Sequence, residues 1–368
     1  MWGGRLEISE WKGDGLIVRL ARCVKLCLCW LTSIGALNAA TTIEAAPLSA
    51  EQKQVDAAIV RALGFLSETQ TPSGSWIADA YGESTATTSL AVMSFLAAGH
   101  VPGEGAYGAQ LEKGIRWVVE HQQPNGMLVH KKSHGPLYSH GISTLMLAEV
   151  IGMVDPPLAK ECRDALQKAV DLILKAQSVA KSDRHAGGWR YQPTSRDSDL
   201  SMTGWQLLAL RAAKNVGCDV PAEHIDRAIE YVKKCHSPGD HGFAYQPGSG
   251  TTPTRTGTGI LALEVCGQHR ADEALSAADY LLDHPLEVSE SYFFYGAYYC
   301  SVGMFKVGGK YWDAMRDHLN LLLLEKQNDD GSWLAAHGSE ESSGKVYCTT
   351  MAVLALAVEY QFLPIYQR

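Results

Sequence analysis

The sequence lacks the short motifs that identify many enzymes. It has no glycine-rich phosphate-binding loop, no His-Glu-x-x-His pair, no dinucleotide-binding fingerprint and no serine-hydrolase elbow. Each of these motifs places backbone N–H groups, metal ligands or a nucleophile in a required geometry, so their absence removes the corresponding reactions. We therefore expect no cofactor.

Paired cysteines are missing as well. Of the nine cysteines, three lie before residue 50, and the others are scattered without a Cys-x-x-Cys pair that would indicate zinc or a redox site. Most of these occupy apolar helical faces, where a free cysteine is a small core residue. They are Cys162, Cys218, Cys235, Cys266, Cys300 and Cys348.

Basic residues are fewer than acidic ones in this sequence. The 40 acidic residues outnumber the 32 lysines and arginines, which gives a net charge of -8. A nucleic-acid-binding protein needs a basic face, so we exclude nucleic acid as a partner. With 46% hydrophobic residues the chain has enough material for a large core, as in an ordinary globular protein.

The first residues differ in composition from the rest. Arg19, Arg22 and Lys25 precede an apolar run over 26–37, and small residues follow. This order is typical of an export signal, and the run is short for a membrane span. We predict that residues 1–46 are an export signal or N-terminal extension, with a retained membrane anchor as the alternative, and that the protein is periplasmic or extracellular.

Apolar residues recur with a period near 3.6 after Ser49, which predicts helices and no sheet. The helices come in pairs, one charged on one face and the next almost uncharged. Charged helices are predicted at 51–68, 109–122, 158–177, 222–235, 271–283 and 311–327, and apolar ones at 85–98, 139–151, 200–213, 256–266, 292–304 and 349–360. Since helices that are apolar all round must be buried, we predict an all-α (α/α)6 toroid over residues 47–368, with the apolar helices inside.

A Gly-aromatic turn follows several of the charged helices at intervals of about 50 residues, as in repeat proteins. Glycine permits positive φ at a helix end, and the aromatic ring packs over that end. The copies run from Gln70 to Trp76, Gln177 to Trp189, His236 to Phe243, and Gln327 to Trp333, and a weaker copy from Gln122 to Met127 has Met127 in the aromatic place.

These turns resemble the QW repeats of squalene-hopene cyclases and oxidosqualene cyclases, and the related repeats of protein prenyltransferase β subunits. The resemblance covers roughly residues 50–368 and implies the α/α toroid fold. It implies less about activity, because the turns are structural and the fold carries several chemistries.

The resemblance also implies where a metal would lie in a prenyltransferase. Those enzymes bind zinc through an Asp-x-Cys on one inner helix and a histidine on the last. The matching positions here are Ser289, Ser291 and Cys348. Serine hydroxyls are poor zinc ligands, so we predict no metal and no zinc-dependent protein prenyltransferase activity.

Squalene-hopene cyclases protonate an alkene with the middle acid of an Asp-x-Asp-Asp motif. The chain keeps the first two acids as Asp197 and Asp199 and has Leu200 in the third place. By this resemblance Asp199, helped by Asp197, is the candidate catalytic acid. The alternative is that one of the two aspartates caps the helix that begins near Leu200.

All inner helices of a toroid begin at one end of the barrel, so their first turns surround one mouth with positive dipole ends. A mixture of apolar wall and a few convergent polar groups is typical of a small-molecule site. The residues predicted there are Tyr138, His140, Arg255, Glu290, Tyr292, Tyr295, Lys345 and Tyr347. From these we select His140, Arg255, Glu290, Tyr292, Tyr295 and Tyr347 as substrate-binding.

Two side-chain groups admit more than one interpretation. Tyr292, Tyr295 and their neighbours Tyr298 and Tyr299 are suited to stabilising a carbocation or stacking on a sugar, or else they simply line the barrel. The histidines at 130, 134 and 140 are separated by a Gly-Pro helix break, so only a metal site built from loop positions is available to them.

Three functions remain open from the sequence. The first is an exported terpene cyclase-like protein that binds, with or without transforming it, an isoprenoid or other apolar small molecule. The second is a glycoside hydrolase or polysaccharide lyase, which would need two carboxylates at a sugar subsite. The third is a non-catalytic scaffold for a protein partner. The sequence does not indicate an oligomeric state.

Overall fold

The computed structural model describes residues 49–131, 133 and 135–367. The predicted export segment, residues 1–46, and His134 lie outside the described residues. In chain order the helices are α1 (Ala50–Glu68), α2 (Thr85–Ala97), α3 (Gly108–Glu120), α4 (Pro136–Val150), α5 (Pro156–Gln177), α6 (Leu200–Asn215), α7 (Ala222–Lys234), α8 (Pro253–Val265), α9 (Asp272–Asp283), α10 (Phe293–Val307), α11 (Lys310–Lys326), α12 (Gly338–Glu341) and α13 (Gly344–Leu356). A short antiparallel hairpin joins β1 (Ile77–Ala78) to β2 (Gly82–Glu83), and two 3-10 turns, Val358–Tyr360 and Pro364–Tyr366, follow α13.

The helices form two concentric rings. In the inner ring α2, α4, α6, α8, α10 and α13 each contact the next, and α13 contacts α2 and closes the circle. The outer ring consists of α1, α3, α5, α7, α9 and α11, each packed on the inner helices beside it. The predicted all-α toroid is confirmed, and every predicted helix is present.

Burial separates the two rings as the composition predicts. Along α2 all but one of the residues are buried, so both faces of this helix pack on other helices. On α7 only one stripe is buried, with its charged residues on the other side. That stripe consists of Ile225, Ala228, Ile229, Tyr231 and Val232.

The repeated glutamine of the turns ties neighbouring outer helices together. The Nε2 atom of Gln70 donates to the carbonyl oxygens of Gly74 in its own turn and Gln110 on α3, both at 2.9 Å. The other glutamines make the same two contacts: Gln122 with Gly126 and Ala165, Gln177 with Gly187 and His224, and Gln327 with Gly331 and Ala58. We call these glutamines the staple glutamines.

The turn glycine lies against the same neighbouring outer helix. Gly187 has φ +98°, and a Cβ atom there would lie 2.1 Å from the carbonyl oxygen of Arg227 on α7. Only glycine permits both this backbone conformation and this approach. The equivalent glycines Gly74, Gly126 and Gly331 approach the carbonyl oxygens of Lys113, Lys168 and Arg61 in the same way.

In three of the turns a tryptophan links the outer helix before it to the inner helix after it. The indole Nε1 of Trp76 donates to the carbonyl oxygen of Leu66 at 2.7 Å, and its backbone N–H donates to the hydroxyl of Thr88 at 2.9 Å. Trp189 contacts Ile173 and Thr203, and Trp333 contacts Leu323 and Thr349, through the same atoms. These bonds set the height at which each inner helix begins.

Two turns differ from the sequence prediction. In the weaker copy the aromatic place belongs to Leu128 and not to Met127, because the Leu128 N–H makes the bond to the inner helix. In the copy before α8 the left-handed residue is His241, with φ +67°, and not Gly242. In this turn His236 takes the place of the glutamine, and its Nε2 lies 3.2 Å from the Ser276 hydroxyl on α9.

Three inner helices begin earlier than predicted. Prolines occupy the first positions of α4 and α8, where the missing N–H costs nothing, and α13 begins at Gly344. As a result Tyr138, Arg255 and Tyr347 lie within first turns. Within the described part of the chain, no helix is both long and apolar enough to cross a membrane.

Candidate functional site

A cavity of about 530 Å³ opens at the end of the barrel where the inner helices begin. Every inner helix contributes lining residues from its first turns, or from the loop just before it. The cavity therefore lies at the mouth that the common direction of the inner helices predicts.

Hydroxyl-bearing side chains dominate the lining. The tyrosines are Tyr81, Tyr138, Tyr191, Tyr245, Tyr292, Tyr295 and Tyr347. The short hydroxyls are Ser84, Thr87, Ser133, Ser139, Ser201, Thr252, Thr254, Ser291, Ser342 and Ser343. The aliphatic lining is limited to Ala78, Ala86, Leu90 and Ile142, and Trp205, Arg255 and Glu290 complete the wall.

The structure brings together five of the six residues predicted to bind substrate. Arg255, Glu290, Tyr292, Tyr295 and Tyr347 all line this cavity. Tyr292 is the most accessible aromatic ring in the set, with 47% of its surface exposed. These residues come from three consecutive inner-helix starts, so they form one side of the mouth.

His140 does not join them, because both of its ring nitrogens are engaged inside the wall. Nδ1 accepts the Leu128 N–H at 3.1 Å, and Nε2 lies 3.1 Å from the carbonyl oxygen of Ala169. The ring is fully buried, and burial lowers its pKa to about 4. His140 thus takes the place that a threonine has in the other turns. Lys345 is likewise absent from the lining and pairs with Asp330 at 2.6 Å.

Asp199 lies behind the cavity wall. Its Oδ1 accepts the Met202 N–H at 2.8 Å and caps α6, and its carboxylate is completely buried. Oδ2 lies 3.5 Å from Arg190 Nε. Burial raises the pKa of Asp199 to about 6, although the Met202 N–H and Arg190 favour the ionised form. The capping interpretation agrees with this geometry, and the same carboxylate also pairs with arginine.

Arg190 connects this acid to the cavity. It lies 3.6 Å from the Asp197 carboxylate as well, and its guanidinium carbon lies 4.8 Å from the Tyr191 ring centre and 5.3 Å from that of Tyr245. The hydroxyls of Tyr191 and Tyr245 are hydrogen-bonded to each other. Neither Asp197 nor Asp199 lines the cavity, and Arg190 lies between these carboxylates and the rings of Tyr191 and Tyr245.

Sequence reasoning missed the tyrosine pair, although a signal was present. The two successive turns read Trp189-Arg-Tyr191-Gln-Pro and Phe243-Ala-Tyr245-Gln-Pro, with tyrosine in the same place after the aromatic residue. A side chain two positions after a buried one lies on the same side of an extended chain. The equivalent places of the two tyrosines in successive turns agree with their meeting in the cavity lining.

A buried glutamate was also missed. Glu340 on α12 accepts the N–H groups of Phe294 and Tyr295 at 2.9 and 2.8 Å, so it caps α10 from a distant part of the chain. Burial raises the pKa of Glu340 to about 7, while these two N–H groups and Tyr347 favour ionisation. This contact holds Ser342 and Ser343, which follow α12, in the cavity wall.

The remaining predicted groups have structural surroundings. Tyr298 and Tyr299 lie outside the lining and pack on Trp205, at 5.6 and 5.4 Å between ring centres. His130 packs edge-on against His121 at 4.4 Å. Among the described residues, no group of three or more His, Cys, Asp or Glu side chains is placed to hold a metal ion.

The family model of the prenyltransferase alpha-alpha toroid domain matches residues 23–180, 162–292 and 295–364. The chain belongs to this family. No curated protein matches it significantly.

Solved structures share the fold at low sequence identity. The GH76A alpha-1,6-mannanase from Salegentibacter sp. HEL1_6 superposes with a TM-score of 0.61 at 11% identity, over 84% of this chain and 99% of that one. An inactive variant of that mannanase was solved with alpha-1,6-mannotriose. The type II terpene cyclase MstE from Scytonema superposes with a TM-score of 0.54 at 15% identity, over 85% of this chain and 99% of that one. One MstE structure contains the substrate geranylgeranyl dihydroxybenzoate.

Proposed function

We propose that this toroid binds a saccharide in the cavity at its inner-helix mouth. The observation that carries the proposal is the lining, which combines tyrosine rings with serine and threonine hydroxyls and contains few aliphatic side chains. A sugar ring presents apolar C–H faces and a rim of hydroxyls. Tyrosine supplies a flat apolar face with a polar tip, and short hydroxyls both donate and accept hydrogen bonds.

The cavity size supports a ligand of a few rings. A volume of about 530 Å³ lies within the range of roughly 300–1,000 Å³ that small-molecule pockets occupy. The mannanase with which this chain shares its fold was solved with a trisaccharide, which is compatible with a toroid mouth of this kind.

We restrict the proposal to binding. Hydrolysis of a glycosidic bond usually needs two carboxyl groups about 5 to 10 Å apart on either side of the sugar. Glu290 is the one carboxylate that lines the described cavity, and Asp199 is completely buried and does not line it. The scaffold hypothesis has no support from the barrel, because its mouth is open and not filled by side chains.

An apolar small molecule remains the second candidate. Leu90, Ile142 and Trp205 are almost completely buried and form a small apolar part of the lining. The similarity of fold to MstE, whose substrate is an isoprenoid derivative, is compatible with such a ligand. The tyrosine rings add further apolar surface, but an isoprenoid chain would leave the hydroxyls of the lining without hydrogen-bond partners, which is why we place it second.

Binding measurements on the full chain separate the two. We expect a neutral trisaccharide such as mannotriose or galactotriose to bind in calorimetric titrations, and geranylgeraniol in detergent not to bind. Changing Tyr292→Ala should weaken saccharide binding up to roughly tenfold, because stacking contributes about 0.5–1.5 kcal/mol. The control is Phe362→Ala, which removes an exposed ring outside the cavity lining. Binding of geranylgeraniol alone, weakened by Tyr292→Ala, would replace the saccharide proposal with the isoprenoid one.

We also propose that the chain is exported. The basic residues Arg19, Arg22 and Lys25 and the apolar run 26–37 support this proposal. Expression of the full chain followed by mass determination of the mature protein tests it. Export with cleavage gives a mature N-terminus near residue 46, and an intact chain in the cytoplasm would contradict the proposal.

A further inference from the structure

We infer that the saccharide bound in this cavity carries a carboxylate, and that Arg255 recognises it. This inference rests on the proposed saccharide function. It follows from the contacts of Arg255, from the neighbouring Thr254 hydroxyl, which has no partner among the described residues, and from the charges that face the cavity.

Arg255 is held in place without its charge being neutralised. It lies in the first turn of α8, with its guanidinium carbon 5.2 Å from the Tyr245 ring centre and Nη1 3.3 Å from the Gly250 carbonyl oxygen. Among the described residues no carboxylate lies within ion-pairing distance of it. Arg190 beside the same ring is different, since Asp197 and Asp199 neutralise it.

A buried hydroxyl beside Arg255 in the sequence also lacks a partner. Thr254 lines the cavity and is 8% exposed, and its Oγ1 has no hydrogen-bond partner among the described residues. Native proteins seldom keep a buried polar group without a partner. The Thr254 hydroxyl can donate to a ligand, as can the Arg255 guanidinium.

The surrounding field supports an anionic ligand group at this point. Thr252 caps α8 here, and the start of α8 points its positive dipole end toward the mouth. An arginine fork matches the two oxygens of a planar carboxylate. Hexuronic acid residues carry such a carboxylate on an otherwise ordinary sugar ring.

Glu290 lines the same cavity as Arg255 and carries the opposite charge. It is the only acidic residue among the described cavity-lining residues, and it forms no ion pair of 4.0 Å or less with a described residue. Its charge opposes an acidic ligand, whereas the charge of Arg255 favours one. Removing these two charges should therefore change acidic-saccharide affinity in opposite directions, which a purely steric role for either residue would not produce.

The test compares matched acidic and neutral trisaccharides, trigalacturonate with galactotriose and trimannuronate with mannotriose, by calorimetric titration of the full chain. We expect the acidic member of a pair to bind roughly tenfold to hundredfold more tightly, as a charge-assisted hydrogen-bonded pair provides. Arg255→Ala should abolish this preference and leave the neutral affinity nearly unchanged. Glu290→Gln should strengthen acidic binding only. The control is Arg163→Ala, which removes an exposed arginine of α5 outside this cavity.

The outcomes separate the inference from the function on which it rests. Neutral and acidic members that bind equally, or an acidic preference that survives Arg255→Ala, would overturn the inference while the saccharide function stands. If neither member of any pair binds and geranylgeraniol does, the saccharide function itself fails. If Arg255→Ala lowers the affinity for the acidic and the neutral trisaccharide equally, with unchanged circular dichroism, Arg255 contributes to the shape of the cavity and does not recognise the carboxylate.

Discussion

Gln327 on the last outer helix donates through Nε2 to the carbonyl oxygen of Ala58 on the first, at 2.8 Å and 269 positions away in the sequence. The same nitrogen donates to Gly331 in its own turn at 2.9 Å. The other staple glutamines make this contact between successive outer helices. The contact between the last and the first outer helix is therefore of the same kind as the glutamine contacts between successive outer helices.

Removing the closing staple should destabilise the whole ring. In Gln327→Ala the carbonyl oxygens of Ala58 and Gly331 both lose a donor. We expect the free energy of unfolding to fall by about 1–3 kcal/mol, measured by urea unfolding. The control is Gln123→Ala, an exposed glutamine next to staple Gln122, which should change stability by less than about 0.5 kcal/mol. Equal effects of the two changes would show that the staple adds nothing.

The close approach of a turn glycine to its neighbour can be measured separately from its backbone conformation. Gly187 and Gly217 have φ of +98° and +90°, but only at Gly187 would a Cβ meet a carbonyl oxygen, that of Arg227. Gly217→Ala should cost about 1 kcal/mol, because alanine disfavours positive φ. Gly187→Ala should cost clearly more in the same urea unfolding experiment. Similar losses in both variants would mean that the outer helices separate easily at this contact.

The fold was predictable from the sequence because its determinants are local and repeated. Charged and apolar helices alternate, and the turn motif marks where most outer helices end. The position of the mouth follows from the common direction of the inner helices, which is why Arg255, Glu290, Tyr292, Tyr295 and Tyr347 lie together. The first residues of the inner helices were less predictable. A proline such as Pro136 or Pro253 fits the first position of a helix, but in a sequence it also indicates the end of one.

Contacts between distant segments were not predictable. His140 occupies a first turn, but its ring turns into the wall because its partner, Leu128, belongs to the turn before α4. Glu340 caps α10 from a short helix that has no periodic pattern to reveal it. The link from Asp199 through Arg190 to the cavity tyrosines depends on stacking distances that no spacing in the chain encodes.

The neutral ring of His140 should make folding sensitive to acid. Its folded pKa is lowered to about 4 by burial, against 6.5 for the free side chain. Between these two pH values the unfolded chain binds a proton at His140 and the folded chain does not. The contribution of the neutral ring to stability is therefore complete above pH 6.5 and is lost as the pH falls to about 4. In His140→Thr the new hydroxyl can accept the Leu128 N–H as threonines do in the other turns.

Urea unfolding from neutral pH to about pH 4 tests this expectation. The advantage of the unmodified protein over His140→Thr should shrink by up to about 3 kcal/mol over that range. His337→Thr, at an exposed histidine, should show no comparable trend. A difference between the His140 variant and the unmodified protein that stays constant with pH would mean that the His140 ring can be protonated in the folded state.

The ionisation of Asp199 should control ligand binding through Arg190. Asp199→Asn keeps an oxygen to cap α6 but removes the buried charge that pairs with Arg190. With a pKa of about 6, Asp199 is ionised at pH 7.5 and largely protonated at pH 5. Asp199→Asn should therefore weaken trisaccharide binding several-fold at pH 7.5, because the charge that positions Arg190 beside Tyr191 and Tyr245 is removed. At pH 5 the variant should bind like the unmodified protein.

Asp197 is the matched control, since its side chain lies at a similar distance from Arg190 but is 47% exposed. Solvent screens such a pair, so Asp197→Asn should change binding little at either pH. Calorimetric titrations with the same trisaccharide at both pH values make the comparison. A loss in Asp199→Asn that is equally large at pH 5 and pH 7.5 would show that the carboxylate acts through the helix cap. In that case Arg190 would hold the tyrosine wall without help from the buried charge.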